Sequence, residues 1–169
     1  GSQEPLWIVE KYLATMSSYT YATVNAMNLF ALFGGNWVDQ TASLFGPVTY
    51  QMFGTAMMVL SLVYAAVLFL KKRDLRALPI CGAIILCGVF VLGVRMHERY
   101  LFPALMMLLL AWGLYGDIRL MHIFVLFSAS QFINVSLVLA YTHLLEGQQV
   151  ATIVFSLINL GTLAYFCYT

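Results

Sequence analysis

The chain has 169 residues, 62% of them hydrophobic and 9% charged, with a mean hydropathy of +0.88 and a formal net charge of +1. A soluble domain carries about 25% charged residues, so this composition excludes an ordinary soluble domain and belongs to a polytopic membrane protein. The near-neutral charge argues against a nucleic-acid partner. Cys81, Cys87 and Cys167 lie in apolar runs without CxxC or paired-His spacing, so no metal or other cofactor is expected.

The chain opens Gly1-Ser2 without an initiator Met, which reads as a tag-cleavage scar and predicts an expressed fragment of a longer protein. Residues 1–47 are expected to form an extracytoplasmic or interfacial segment. In "PLWIVEKYLATM", Leu6, Val9, Leu13 and Met16 recur at helical spacing, with Trp7, Ile8 and Tyr12 beside them and Glu10 and Lys11 opposite. That pattern predicts a helix lying in the membrane interface. The next stretch, through "VNAMNLFALFGGNWVDQ", is too rich in Ser, Thr, Tyr and Asn for an ordinary span, and Gly34-Gly35-Asn36 reads as a break or turn.

Residues 48–169 read as a transmembrane bundle. Val48–Leu70 runs 23 residues without a charge, enough to cross about 30 Å of hydrocarbon. Lys71, Lys72, Arg73 and Arg76 end it abruptly. Further apolar runs follow at Leu78–Val94, Leu101–Gly116, Leu120–Tyr141 and Val150–Tyr168, so five spans are expected. Gly54 and Ala56 in the first, and Gly82, Gly88 and Gly93 in the second, are expected at helix crossings. The fold class is therefore all-α, a polytopic helical bundle preceded by one or two outer-face helices. The Lys71–Arg76 loop marks the cytoplasmic side by the positive-inside rule. Span counting then puts Arg119 on the same side and the Arg95–Arg99 group outside.

That group, in "VLGVRMHERYLFPALMMLLL", is the densest set of mixed-sign polar side chains in the chain. Read as helix, Arg95, Glu98 and Arg99 share one face. Two guanidiniums can grip a phosphate, Glu98 can orient one of them, and His97 adds a titratable donor. Pro103 suits the first turn of the helix that follows. The bland alternative is a wet connection, or an Arg–Glu pair that closes a hairpin. Asn25, Asn28, Asn36 and Trp37 are candidates for a sugar or acceptor, with local capping and interfacial anchoring as the competing readings. Asp39 is the acid of that outer stretch and a weak candidate for a base. His122, His143 and Glu146 read as solvated or interfacial, and Gln131 and Asn134 as bonding to neighbouring helices.

"VNAMNLFALFGGNW" followed some 60 residues on by "LGVRMHERYLFPAL" resembles the C-terminal half of bacterial integral-membrane glycosyltransferases of the GT-C type, related to the mannosyltransferases of GPI-anchor assembly. His97-Glu98-Arg99 is also similar to the His-Glu-Lys segment of dolichyl-phosphate-glucose transferases, and Asn28-Leu29-Phe30 is comparable with their upstream Asn-Phe-Trp-like segment. The resemblance covers about Ser17 to Leu110. It implies transfer from a polyprenyl-phosphate sugar on the outer face of a bacterial plasma membrane, with Arg95, His97 and Arg99 as donor-phosphate ligands and Glu98 as their orienter. The family's catalytic acid sits in a first outer loop that has no counterpart here. The missing N-terminal half is then a partner, and the 169 residues alone are expected to be inactive. A scaffolding bundle and a transporter fragment with an anion path are the competing functions.

Overall fold

The computed structural model describes residues 6–140 and 147–169. Gly1, Ser2, Tyr141, His143 and Glu146 lie outside them, as do the side chains of Tyr12, Leu13 and Met16. The chain is an all-α bundle, and four helices among the described residues are long and apolar enough to cross a membrane.

The first helix, α1, runs Trp7–Ser18, and Leu6, Ile8 and Val9 on it are exposed. A mostly irregular segment follows, containing β1 (Thr23–Val24), the single turn α2 (Leu29–Leu32), and the small hairpin of β2 (Ser43–Phe45) and β3 (Val48–Thr49).

Helix α3 spans Tyr50–Lys72. Thr49 caps it by accepting from the Met52 N–H at 3.1 Å. It ends where Arg73 turns left-handed (φ 49°) and its N–H reaches the Phe69 carbonyl. Lys71 and Lys72 in the last turn complement the helix dipole. A 3-10 turn, Leu75–Ala77, leads into α4 (Leu78–Leu92), with Pro79 in its first turn. Half of the apolar stretch Leu75–Leu92, the 3-10 turn and α4 together, is buried in protein, 50% against 17% for α3, which makes α4 the central helix. It packs on α3, on α5 (Phe102–Tyr115) and on α7 (Gly147–Tyr168), while α6 (Ile118–Ala140) joins α5 to α7.

The third expected span, Leu101–Gly116, a short run in the sequence, is a short apolar helix. Helix α5 has 14 residues, about 21 Å at 1.5 Å per residue, which is less than the hydrocarbon thickness. Pro103 sits in its first turn, and Gly116 (φ 65°) stops it with an N–H bond to the Trp112 carbonyl.

Lipid is as apolar as leucine, so close packing rather than hydrophobic burial holds such helices together. Small residues supply it. A Cβ at Gly88 would strike the Ser61 side chain of α3, and one at Gly54 would lie 2.7 Å from Val94 Cβ. Gly93 faces Met58 and Gly82 faces Met107. Ala56 does not join them: it points away from the neighbouring helices and is exposed. Around these crossings Cys87, Phe90, Leu108, Ile123 and Phe127 are fully buried.

The segment before α3 is seated on the bundle rather than apart from it. Ala26 belongs to the same core cluster as α4 and α6, and α2 packs against α7 and α4.

Candidate functional site

The segment from Gly93 to Leu101 links α4 to α5. It is not helical, so the shared face expected for Arg95, Glu98 and Arg99 does not exist. Arg95 is left-handed (φ 65°), and Met96–His97 form a short strand, β4. This strand pairs in parallel with β1, with Thr23 opposite Met96 and Val24 opposite His97. The reason is local. Gly93 ends α4, and three consecutive residues then find backbone or side-chain partners in the segment before α2. The Arg95 N–H donates to the Ala22 carbonyl at 2.8 Å, Thr23 Oγ1 donates to the Met96 carbonyl at 3.3 Å, and Asn25 forms an isolated bridge to His97.

A left-handed non-glycine residue costs about 1–3 kcal/mol unless its surroundings hold it. Arg95 is held by that N–H bond and by its own guanidinium, whose Nε donates to the Tyr19 carbonyl at 2.8 Å. The turn after β4 is held from the bundle side: Gln131 Nε2 of α6 donates to the Glu98 carbonyl at 2.6 Å. Glu98 and Arg99 face one another loosely, at 3.8 Å, with the Arg99 side chain 66% exposed and that of Glu98 16%. An exposed pair at that distance contributes little to stability and leaves most of the cationic field of Arg99 available.

His97 is buried between two tyrosines. The Tyr19 ring meets it edge-on at 5.1 Å, and the Tyr100 ring is tilted at 5.1 Å. Burial pushes its imidazole below the ordinary histidine value; Glu98 opposes the shift and Arg99 adds to it. His97 is thus kept neutral at neutral pH and can offer a hydrogen bond rather than a charge.

Asn25 and Asn28 are not one helical turn apart, because Asn25 is left-handed (φ 54°) and α2 begins only at Leu29. Asn28 is fully buried. Its Oδ1 accepts the Ala31 N–H at 3.2 Å, capping α2, and its Nδ2 donates to the Gly93 carbonyl at 3.4 Å. Asn25, Asn36 and Trp37 do come together. Asn36 Oδ1 accepts the Asn25 N–H at 2.7 Å, and Trp37 Nε1 donates to Asn25 Oδ1 at 3.0 Å. Trp37 is left-handed (φ 60°) and 51% exposed, with its ring edge-on to Tyr21. The space between Asn25, Asn36, Asn134 and Thr152 is about 10 Å³, room for one water rather than a sugar.

Asp39 accepts from Thr41 Oγ1 at 2.6 Å and from the Thr41 N–H at 2.8 Å. These bonds hold its carboxyl below the ordinary carboxylate value, the wrong direction for a general base working near neutrality. His122 is exposed near the start of α6.

The intramembrane amides reach further than expected. Asn134 bonds not to a neighbouring helix but to the outer segment: its amide donates to the Asn25 carbonyl at 2.7 Å and accepts the Met27 N–H at 3.1 Å. Asn159 of α7 donates to the Met27 carbonyl at 2.7 Å. Asn159, Tyr19 and Tyr100 were not singled out in the sequence. A buried-depth Asn in an otherwise apolar run was the available signal for Asn159; nothing marks the two tyrosines.

No protein-family model, curated protein or solved structure matches this chain.

Proposed function

We propose that this chain is the lipid-phosphate-binding part of a GT-C-type integral-membrane glycosyltransferase in a bacterial plasma membrane. The donor is a polyprenyl-phosphate-linked sugar, and the Arg95–Arg99 turn faces the outer side with the Lys71–Arg76 loop in the cytoplasm. Arg99 is the principal phosphate ligand, Arg95 a second cation on the same turn, and neutral His97 a hydrogen-bond donor. Glu98 orients Arg99. Trp37, half-exposed beside Asn25 and Asn36, offers a ring face to a sugar. Asp39, held below the ordinary carboxylate range, is a poor base, so the acid that activates the acceptor is assigned outside this segment.

One observation carries this reading. An exposed arginine with only a loose carboxylate partner sits on a turn fixed by β-pairing, by Gln131 and by the left-handed Arg95. A rigid mount for a cation is what electrostatic stabilisation of a departing phosphate requires. A scaffolding module is the second reading, favoured by the internal bonds of Asn25, Asn28 and Asn36.

The test is native mass spectrometry of the detergent-purified chain with a polyprenyl phosphate and, as control, the neutral polyprenol. Binding that depends on the phosphate and weakens in Arg95→Ala and Arg99→Ala supports the donor site. Equal binding of phosphate and alcohol favours the scaffold.

A further inference from the structure

A cavity lies at the other end of the bundle. It measures about 360 Å³, within the usual range for a small-ligand site. Leu68 of α3, Ile80 and Ile84 of α4, Leu120 of α6 and Phe166 of α7 form its apolar floor. Tyr64 Oη donates to the Cys167 carbonyl at 2.6 Å, tying α3 to the end of α7 along one wall.

The mouth is polar and carries cations. Lys72 Nζ stands 5.3 Å from the centre of the Tyr115 ring, a cation–π contact that holds the ammonium at the rim. Arg119 and Asp117 also line the cavity. Arg119 gives Nε and Nη2 to the Asp117 carboxylate at 3.0 and 2.6 Å, and a guanidinium has five N–H donors. Further N–H groups therefore remain for a second anion. The neighbouring loop adds Lys71, Arg73 and Arg76 against Asp74.

An apolar chamber between helix ends, opening among cations where the charged loops begin, is complementary to one kind of molecule. We infer that this cavity binds an anionic glycerophospholipid of the surrounding bilayer, with an acyl chain on the Leu68–Ile84 floor and the headgroup phosphate between Lys72 and Arg119. The lipid would fill the gap that α3, α4, α6 and α7 leave where they diverge, and lock this end of the bundle. The inference is independent of the proposed transferase role, which concerns the opposite end.

The whole chain, purified in detergent, is offered phosphatidylglycerol or phosphatidylcholine with matched acyl chains, and lipid adducts are read by native mass spectrometry. Phosphatidylglycerol should be retained roughly tenfold better. Lys72→Gln and Arg119→Gln should each remove most of that preference, whereas Arg99→Ala should leave it intact. Leu68→Trp, which fills the chamber and keeps the charges, should lower retention of both lipids. Inorganic phosphate in excess should not compete, since it has no chain to bury. Circular dichroism establishes that each variant is folded before it is scored. Equal retention of the two lipids, no response to Lys72→Gln in a folded variant, or loss of the preference on Arg99→Ala alone would overturn the assignment.

Discussion

Each end of the bundle sets an arginine beside a carboxylate, at very different closeness. Arg119 and Asp117 meet at 2.6 Å, while Arg99 and Glu98 stand 3.8 Å apart. The difference follows from the local chain. Asp117 lies just before α6 and also accepts the Arg119 N–H at 2.9 Å, so the backbone aims the carboxylate at the guanidinium two residues on. Glu98 and Arg99 are adjacent in a turn, and side chains of adjacent residues diverge. The first arrangement pairs its arginine closely while leaving N–H groups to spare; the second leaves its arginine largely unpaired. Besides the Arg95 guanidinium, uncharged amides brace this end: Gln131, Asn134 and Asn159 reach up from the spans and bond backbone groups of Glu98, Asn25 and Met27.

The largest expected effect comes from removing that support. Asn134→Leu leaves the Asn25 carbonyl and the Met27 N–H without their partner, which should cost about 2–4 kcal/mol of stability. Hydrogen exchange should show amides around Asn25–Asn28 losing protection while those of Arg73 and Ala77 at the opposite end keep theirs. Uniform loss would mean that the two ends open together. Next in size is Arg99→Ala, which should weaken polyprenyl-phosphate binding at least tenfold, from the roughly 1.5–3 kcal/mol of one charged contact, without moving the unfolding midpoint. Glu98→Gln should act oppositely and tighten binding by a few-fold, because it removes the neighbouring negative charge.

Acid should separate the two ends. The folded-state value of His97 lies below its unfolded value, so the unfolded chain binds the proton more readily. His97 therefore destabilises the fold as pH falls below about 6.5, the ordinary histidine value. His97→Gln should flatten stability between about pH 7 and 5. Asp117 is held down to about 2, first by its hydrogen bonds from Arg119. Its contribution is full above the ordinary carboxylate range and is lost only as pH falls through about 2. At pH 5 the outer turn should loosen while the Asp117–Arg119 end stays closed, as exchange rates at Met96–His97 and at Leu120 would report.

Much of this was legible in the sequence, and the losses have physical causes. Uncharged runs marked α3, α4, α6 and α7 because hydrocarbon tolerates only helices of that length and polarity. Gly54 and Gly88 were readable as crossing points. The run at Leu101–Gly116 forms the short apolar helix α5, whose end is set by the left-handed Gly116, a stop that hydropathy does not report. The Arg95–Arg99 reading placed these residues between two apolar helices, where they are, but on a helical face that does not exist. Its extended form depends on pairing with Thr23–Val24, 73 residues away for the Thr23–Met96 bond, and no local pattern reports such pairing. Asn25 and Asn28 misled for the same reason: their spacing is helical, but their conformation is set by Asn134, Asn36 and Gly93.

The smallest effect is expected where the contact is shortest. Arg119→Ala breaks a pair at 2.6 Å, yet the Arg119 side chain is 49% exposed. Water and salt screen such a pair, and ordering two side chains offsets most of the attraction. Asp117 also keeps its bond to the backbone N–H of residue 119, which alanine retains, so the turn into α6 should persist. The unfolding midpoint should therefore not move measurably. A lowered midpoint that recovers in Asp117→Asn/Arg119→Ala would show that the exposed pair is needed to balance Asp117. It would also make the closed end of the bundle, rather than the amide-braced end, the one that depends on charge.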